Sequence, residues 1–285
     1  MKFRGSVVHG VQVGAKFGIA TANLEVDEMP TELKEGVYFI TASFDSTPHN
    51  GLLHFGPRKT FGADSTIEIH LLDVDLDLYE KELEIDVLKR ERDIEQFQNA
   101  DALFTQVEKD IVRARKFFLR SSIADQWKKI SPDEREQMAF SVLERIATNE
   151  NFKSAQNIYV YAPIEGEIEF VQKMCSINKE KTFFFPKIEN DEMMFHRSAW
   201  EDLKEGAFGI LEPSPSSDVP EPDLVFVPAV ALDARSHRLG KGGGFYDQFL
   251  KTFKGHTIAV VPSFAHIKSL PTEGHDEKVS EVIAV

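Results

Sequence analysis

The chain contains one cysteine, Cys175, among 285 residues. No internal disulfide can form, so packing must hold the fold together, and the usage fits a reducing compartment. Long apolar runs are missing too: nothing approaches the roughly 18 residues of a membrane-spanning helix. The first ten residues, MKFRGSVVHG, lack the apolar core of a secretory leader. A cytoplasmic location is the expectation. Positive charge is scarce, with 33 Lys and Arg against 47 Asp and Glu for a formal net charge of −14. Polyanion binding needs a basic face, so neither nucleic acid nor an anionic membrane is expected as a partner. Any phosphate site must be a local exception. The deficit is uneven, since residues 1–112 hold 11 basic against 21 acidic residues and residues 113–285 hold 22 against 26. Finally, no glycine or proline occurs between Gly62 and Pro132, which excludes the usual flexible or Pro-rich tether from that region.

What is present suggests two domains, the length being too great for one small core. The first hundred residues carry short apolar or alternating runs at Ser6–Val8, Val37–Phe44, Leu52–Phe55, Thr66–Leu72 and Leu83–Val87. Turn signals at Gly10, Gly14, Gly18, Pro30, Gly36 and the Asn50-Gly51 pair separate them. Strands without intervening helices predict a small antiparallel β-barrel or sandwich. In the alternation Ile67-Glu68-Ile69-His70, Glu68 and His70 share one strand face and the isoleucines the other. Thr21 and Asn23 offer the hard oxygen ligands that Mg²⁺ accepts beside nucleotide phosphates, although alone they read equally as turn chemistry.

From Leu103 the apolar residues Val107, Ile111, Phe118, Ile123, Trp127 and Ile130 recur at helical spacing, predicting one helix that leaves the first domain and enters the second. Ser131-Pro132-Asp133-Glu134 has the capping-box pattern and should start a helix reaching about Thr148. Strand-like and helical segments then alternate. Strands are expected at Ile158–Tyr161, Thr182–Phe185, Met193–His196, Leu224–Val227 and Ile258–Val261, with helices from about Ile168, near Ala199–Leu203 and after Gly244. That alternation predicts an α/β domain whose mostly parallel sheet is covered by helices on both faces.

The densest chemistry lies in RLGKGGGFYD, Arg238 to Asp247. Gly242, Gly243 and Gly244 allow close approach of a ligand to the backbone, Arg238 and Lys241 flank them, and an amphipathic helix starts at Phe245. Amide groups, a helix N-terminus and cations together outline an anion cradle. On glycine content alone the stretch is equally an ordinary turn before a helix, and it matches neither the P-loop nor the dinucleotide fingerprint.

Two resemblances sharpen these readings. RGSVVHGVQVGAKFGIATANL, GVYFITASF, GPRKTFG, IEIHLLD and DLYEKELEIDV follow one another as in riboflavin kinases, over residues 1–112 as a domain. The resemblance implies a six-stranded barrel with ATP and riboflavin as substrates and FMN as product. It places Thr21 and Asn23 at Mg²⁺ and the phosphates and makes Glu68 the catalytic base. Departures are Ala20 and Lys59 for prolines, Glu80 for a glycine and Ile94 for an acidic residue. KFFLR, EGEIEF, GILEP, DLVFVPAVALD, RLGKGGGFYDQFL and LPTEGHDEKV, over residues 113–285, resemble 5-formyltetrahydrofolate cyclo-ligase.

That second family converts 5-formyltetrahydrofolate and ATP into 5,10-methenyltetrahydrofolate. By resemblance, Lys116, Arg120, Arg238, Gly240, Gly242, Gly243 and Gly244 bind ATP, and Glu167, Lys241 and Phe245 meet the folate. Lys241 and Tyr246 serve catalysis, and Asp247 with Asp276 holds Mg²⁺. Ala229, Leu232, His237 and Phe245 depart from the usual pattern. The expectation is a cyclo-ligase fused to a riboflavin kinase. The alternative is a cyclo-ligase whose barrel is a silent flavin-binding or scaffold module.

Overall fold

The computed structural model describes residues 1–9, 19–26, 30–58, 63–74, 78–206, 209–217 and 219–285. The turn signals at Gly10, Gly14 and Gly18 and the segment Lys59-Thr60-Phe61 lie outside these. The chain divides into two compact units, Met1–Phe118 and Leu119–Val285.

In the first unit, β1 (Lys2–Val8), β2 (Ala22–Glu25), β3 (Gly36–Phe44), β4 (Thr47–Arg58), β5 (Ala63–Leu71) and β6 (Glu82–Arg92) close a barrel in the order β1-β2-β5-β4-β3-β6. Each neighbouring pair is antiparallel. Alternation sets the interior: Val7, Leu24, Ile40, Leu53, Ile67, Ile69, Leu83 and Ile85 pack together inside. Strand β3 looks apolar throughout because both its faces are covered. Tyr38, Ile40 and Ala42 join the interior, whereas Val37 and Phe39 pack outside against Ile111 and Ala114 of α1 (Ala100–Trp127).

The Asn50-Gly51 pair is not a turn. It lies within β4, where Ile40 pairs with Gly51, and the chain reverses instead at Asp45 and Ser46, with φ of 49° and 62°. Two positive φ values match the right-handed strand twist at a tight hairpin. Glycine is needed at 51 for another reason: a Cβ there would fall 2.7 Å from the His70 carbonyl oxygen of β5. Glu80, where the kinase resemblance has glycine, sits at φ 63°, a left-handed conformation costing a side chain-bearing residue about 1–2 kcal/mol.

Helix α1 runs unbroken across the division between the units, as its apolar spacing predicts. Its start is fastened to the barrel by a buried ion pair. Arg92 of β6 donates from Nε at 3.1 and 3.0 Å and from Nη2 at 2.7 Å to the carboxylate of Asp110, which also accepts from Gln106 Nε2 at 2.9 Å. Asp110 is 2% exposed. Removing one partner strands the other charge, so Asp110→Ala is expected to destabilise the first unit by about 3–5 kcal/mol. Chemical denaturation checks this, and a loss below about 1 kcal/mol would show the pair to be dispensable.

The second unit begins with the rest of α1, then α2 (Pro132–Thr148), α3 (Glu150–Ser154), β7 (Asn157–Tyr159), α4 (Val171–Ile177), β8 (Thr182–Glu189), β9 (Glu192–Arg197), β10 (Lys204–Glu205) and β11 (Leu211–Glu212). It continues with β12 (Leu224–Val227), β13 (Ala231–Asp233), β14 (Arg238–Leu239), α5 (Phe245–Thr252), β15 (His256–Val261), β16 (His266–Ile267) and β17 (Glu281–Ala284). The capping box at Ser131 and Glu134 is formed reciprocally. The expected helix near Ala199–Leu203 is only a 3₁₀ turn, Trp200–Asp202, and the one expected from Ile168 begins at Val171.

The main sheet has the order β17-β15-β12-β7-β8-β9, parallel except for the β8–β9 pair. All of β12 is buried, so both faces at its centre are covered. On one, the Phe226 ring meets Phe152 of α3 and Phe170, the residue preceding α4; on the other, Tyr159 meets Phe249 of α5. A smaller sheet, β14-β13-β16, stands beside it. The glycine loop therefore follows the β13–β14 hairpin rather than β12 directly.

Candidate functional site

Gly244 caps α5 with φ 74°, and Gly242 stands at φ 111°. Both values favour glycine, and they aim the loop Gly240–Gly244 into the first turn of the helix. Phe245, Tyr246 and Asp247 form that turn. The Phe245 ring folds back over Gly243, where a Cβ would lie 3.1 Å from it. One half-buried and one buried guanidinium group, Arg120 and Arg238, flank the loop. Arg120 donates from Nε to the Gly240 carbonyl at 2.7 Å. Arg238, 6% exposed, pairs through Nη2 with Asp247 Oδ1 at 2.9 Å and lies 5.7 Å from the Tyr246 ring centre. Its Nη1 approaches Gly240 so closely that a Cβ would fall at 2.7 Å.

Burial lowers the pKa of both arginines, opposed by Asp247, Tyr246 and Asp276 around Arg238 and by Asp276 and Glu273 around Arg120. Arginine nonetheless stays charged. A chain of net charge −14 thus concentrates buried positive charge beside exposed backbone, which suits an anion.

Lys241 and Glu167 join this region from opposite sides. The Lys241 ammonium donates to the Glu165 carbonyl at 2.8 Å, tying the loop to the segment that follows β7, and Glu167 accepts from the Ile164 N–H at 3.1 Å. Burial pushes the Glu167 carboxyl up to about 7, against the Ile164 hydrogen bond and the Lys241 charge. Tyr246 is half-buried; burial of its hydroxyl and the neighbouring Glu167 raise its pKa, opposed by Arg238. Its hydroxyl is buried and has no hydrogen-bond partner among the described residues.

Folding favours the neutral form of a carboxyl whose pKa is raised. The stabilising contribution of Glu167 is therefore full below about 4.5 and is lost as pH rises through about 7. Glu167→Gln is expected to gain stability relative to the wild type between pH 5.5 and 8.5, by at most about 3 kcal/mol at about 1.4 kcal/mol per pKa unit. Melting temperatures across that range check it; a difference independent of pH would contradict the shift.

Asp276 accepts from the Glu273 N–H at 2.7 Å, and Asp247 from the Glu277 N–H at 3.5 Å, so the segment carrying Asp276 meets the start of α5. Both carboxylates act on the Arg238 guanidinium. No group of three or more His, Cys, Asp or Glu positioned for a metal occurs among the described residues. Two carboxylates beside an anion cradle fit Mg²⁺, which takes its remaining ligands from phosphate and water. Lys116 lies on α1 and is buried, but it belongs to the first unit and Arg120 to the second.

The barrel assembles its own constellation. Asn23 of β2 pairs directly with Glu68 of β5, and Glu68 pairs on its other side with His54 of β4. Opposed residues share a sheet face with Cβ atoms about 4.5–5.5 Å apart. Thr66 donates to Glu68 Oε1 at 3.2 Å. Thr21 immediately precedes β2, and its neighbour Ala20 accepts from His70 Nδ1 at 2.8 Å, pinning this segment to β5. Burial lowers the His70 pKa, opposed by that bond.

Sequence reasoning missed Tyr161, buried beside Glu167 and Tyr246, because a tyrosine ending an apolar strand reads as core. It also missed His54, whose place opposite Glu68 depends on strand register.

Both parts of the chain have counterparts among known proteins. The model of the 5-formyltetrahydrofolate cyclo-ligase family matches residues 112–285, well over half of the chain, and the chain belongs to that family. The riboflavin kinase model matches residues 1–118, the barrel and the first part of α1. The mitochondrial 5-formyltetrahydrofolate cyclo-ligase of Arabidopsis thaliana is 31% identical over 171 residues, 52% of this chain and 62% of that protein. The NMR structure of Aquifex aeolicus 5,10-methenyltetrahydrofolate synthetase, 32% identical, superposes with a TM-score of 0.54 over 59% of this chain and 89% of that one. The RNA-binding riboflavin kinase RibR of Bacillus subtilis is 35% identical over 116 residues, 40% of this chain. The chain spans about half the length of that curated relative, covering 50% of it. Among the described residues no helix is long and apolar enough to cross a membrane.

Proposed function

We propose that the second unit, with the end of α1, converts 5-formyltetrahydrofolate and ATP into 5,10-methenyltetrahydrofolate, ADP and phosphate. The barrel phosphorylates riboflavin to FMN. The boundary is placed at residues 112 and 113, within α1, and the site is cytoplasmic. The convergence of Arg120, Arg238, Lys241, Asp247 and Asp276 on one glycine loop carries the first reading.

The formamide oxygen attacks the γ-phosphorus and ADP leaves. The neighbouring folate amine then attacks the activated carbon, loses its proton and expels phosphate. Charge neutralisation and positioning dominate such chemistry. Arg120, Arg238 and the amides of Gly240 to Gly244 hold the phosphates. Lys241 bridges nucleotide and folate, Glu167 accepts pterin hydrogens, and Phe245 stacks on the ring. Phe245 has no hydroxyl, so no proton passes through it; Tyr246 orients Arg238 from below. Mg²⁺, held by Asp247 and Asp276, supplies neutralisation of the triphosphate. In the barrel, Glu68 accepts the proton of the riboflavin primary alcohol, and Thr21 and Asn23 hold the Mg·ATP phosphates. Growth of methenyltetrahydrofolate absorbance with ATP, and of FMN from riboflavin, tests the two halves.

A further inference from the structure

We infer that Asp233, which meets no proposed ligand, is a positioning residue that sets the geometry of the glycine loop against the Asp276 segment; this rests on the proposed cyclo-ligase site. Asp233 ends β13 and is 0% exposed. Its Oδ1 accepts from the N–H groups of Arg235 and His237 at 2.9 and 3.0 Å. Its Oδ2 accepts from the Leu270 N–H at 3.1 Å and faces His237 Nδ1 at 3.3 Å. Burial would push the carboxyl up, but the hydrogen bonds from Leu270, His237 and Arg235 win and hold its pKa below the usual range. The group is therefore a carboxylate with acceptors only.

The two oxygens serve different segments. Through Oδ1 the carboxylate closes the β13–β14 turn, which carries Ser236 at φ 64° and delivers Arg238 immediately afterwards. Through Oδ2 it holds Leu270, the start of the segment that contains Asp276. That segment is fastened again farther on: the Val279 N–H donates to the Ser236 carbonyl at 3.0 Å, and His237 bridges to Lys278. One buried carboxylate thus joins the strand bearing Arg238 to the loop bearing Asp276, while Glu167 arrives from the far side, after β7. Nucleotide-facing groups depend on Asp233, and the folate-facing carboxylate does not. Displacements of about 1 Å at such groups can cost up to about a hundredfold in rate.

Asp233→Asn keeps the volume and the Oδ1 acceptor but turns an N–H₂ toward the Leu270 N–H. With wild-type cyclo-ligase turnover first established on the same preparation, the variant is expected to raise KM for Mg·ATP at least about tenfold. KM for 5-formyltetrahydrofolate should change less than threefold on the same reasoning, roughly. Ser236→Gly in that background, which relieves the positive φ, is expected to recover part of the loss. If Asp233→Asn folds poorly, His237→Ala removes the ring contact alone and should raise KM for Mg·ATP about threefold at unchanged kcat. Equal shifts in both KM values, or activity falling only with the folded fraction, overturn the inference. Absence of turnover in the wild type instead overturns the proposed function.

Discussion

Asp247→Ala is expected to lower cyclo-ligase turnover by at least about 10²–10³-fold, the range for loss of one electrostatic element at a site of developing charge. The loss has two physical sources. Asp247 stands in the first turn of α5 beside Arg238, 2.9 Å away, and together with Asp276 it provides carboxylate oxygen where a triphosphate must be neutralised. Removing it also leaves a guanidinium 6% exposed without its carboxylate partner, a strongly unfavourable burial. Asp247→Asn separates the sources, because the amide retains an oxygen for Arg238 but surrenders the charge. Both variants should keep the FMN-forming rate of the wild type, and a cooperative thermal transition of the second unit checks that it is folded. Survival of methenyltetrahydrofolate formation in Asp247→Ala would remove Asp247 from the site.

Glu68→Gln is expected to reduce FMN formation by about 10²–10⁴-fold, the usual contribution of a positioned general base, with cyclo-ligase turnover unchanged. The amide is isosteric and preserves an acceptor for Thr66, which bonds the carboxylate at 3.2 Å, but it cannot take the alcohol proton. Its neighbours across the sheet, Asn23 and His54, stay in register because backbone pairing, not the side chain, fixes them. Full kinase activity in this variant would remove Glu68 as the base, whereas absence of FMN formation in the wild type would assign the barrel to the silent class.

The architecture was legible where one physical signal dominated. Period-two alternation located Ile67 and Ile69 inside the barrel, and reciprocal Ser131 and Glu134 capping located α2. Unbroken helical spacing from Leu103 to Trp127 foretold that α1 crosses the division between the units. Short elements escaped. The strands β13, β14 and β16 have two or three residues each, too few for any period to emerge. Asn50-Gly51 misled because glycine serves close packing against His70 as well as turning, and local sequence does not distinguish the two uses.

Legibility of the site followed the same division. Arg238 to Asp247 concentrates its chemistry in ten consecutive residues, so glycine, charge and helix onset could be read together. Arg120, Glu167 and Asp276 come from three other segments, and only the fold brings them to the loop. Asp233 was invisible as a functional residue, since a carboxylate bonded to the backbone amides of Arg235, His237 and Leu270 acts through partners that carry no side-chain signature.

The most direct test gives one preparation of the whole chain riboflavin, 5-formyltetrahydrofolate and Mg·ATP, and follows both products by liquid chromatography. The proposed function predicts FMN and 5,10-methenyltetrahydrofolate together, each dependent on ATP and each abolished separately by Glu68→Gln and Asp247→Ala. Formation of neither product, or loss of both products in either single variant, would contradict a chain with two independent catalytic sites.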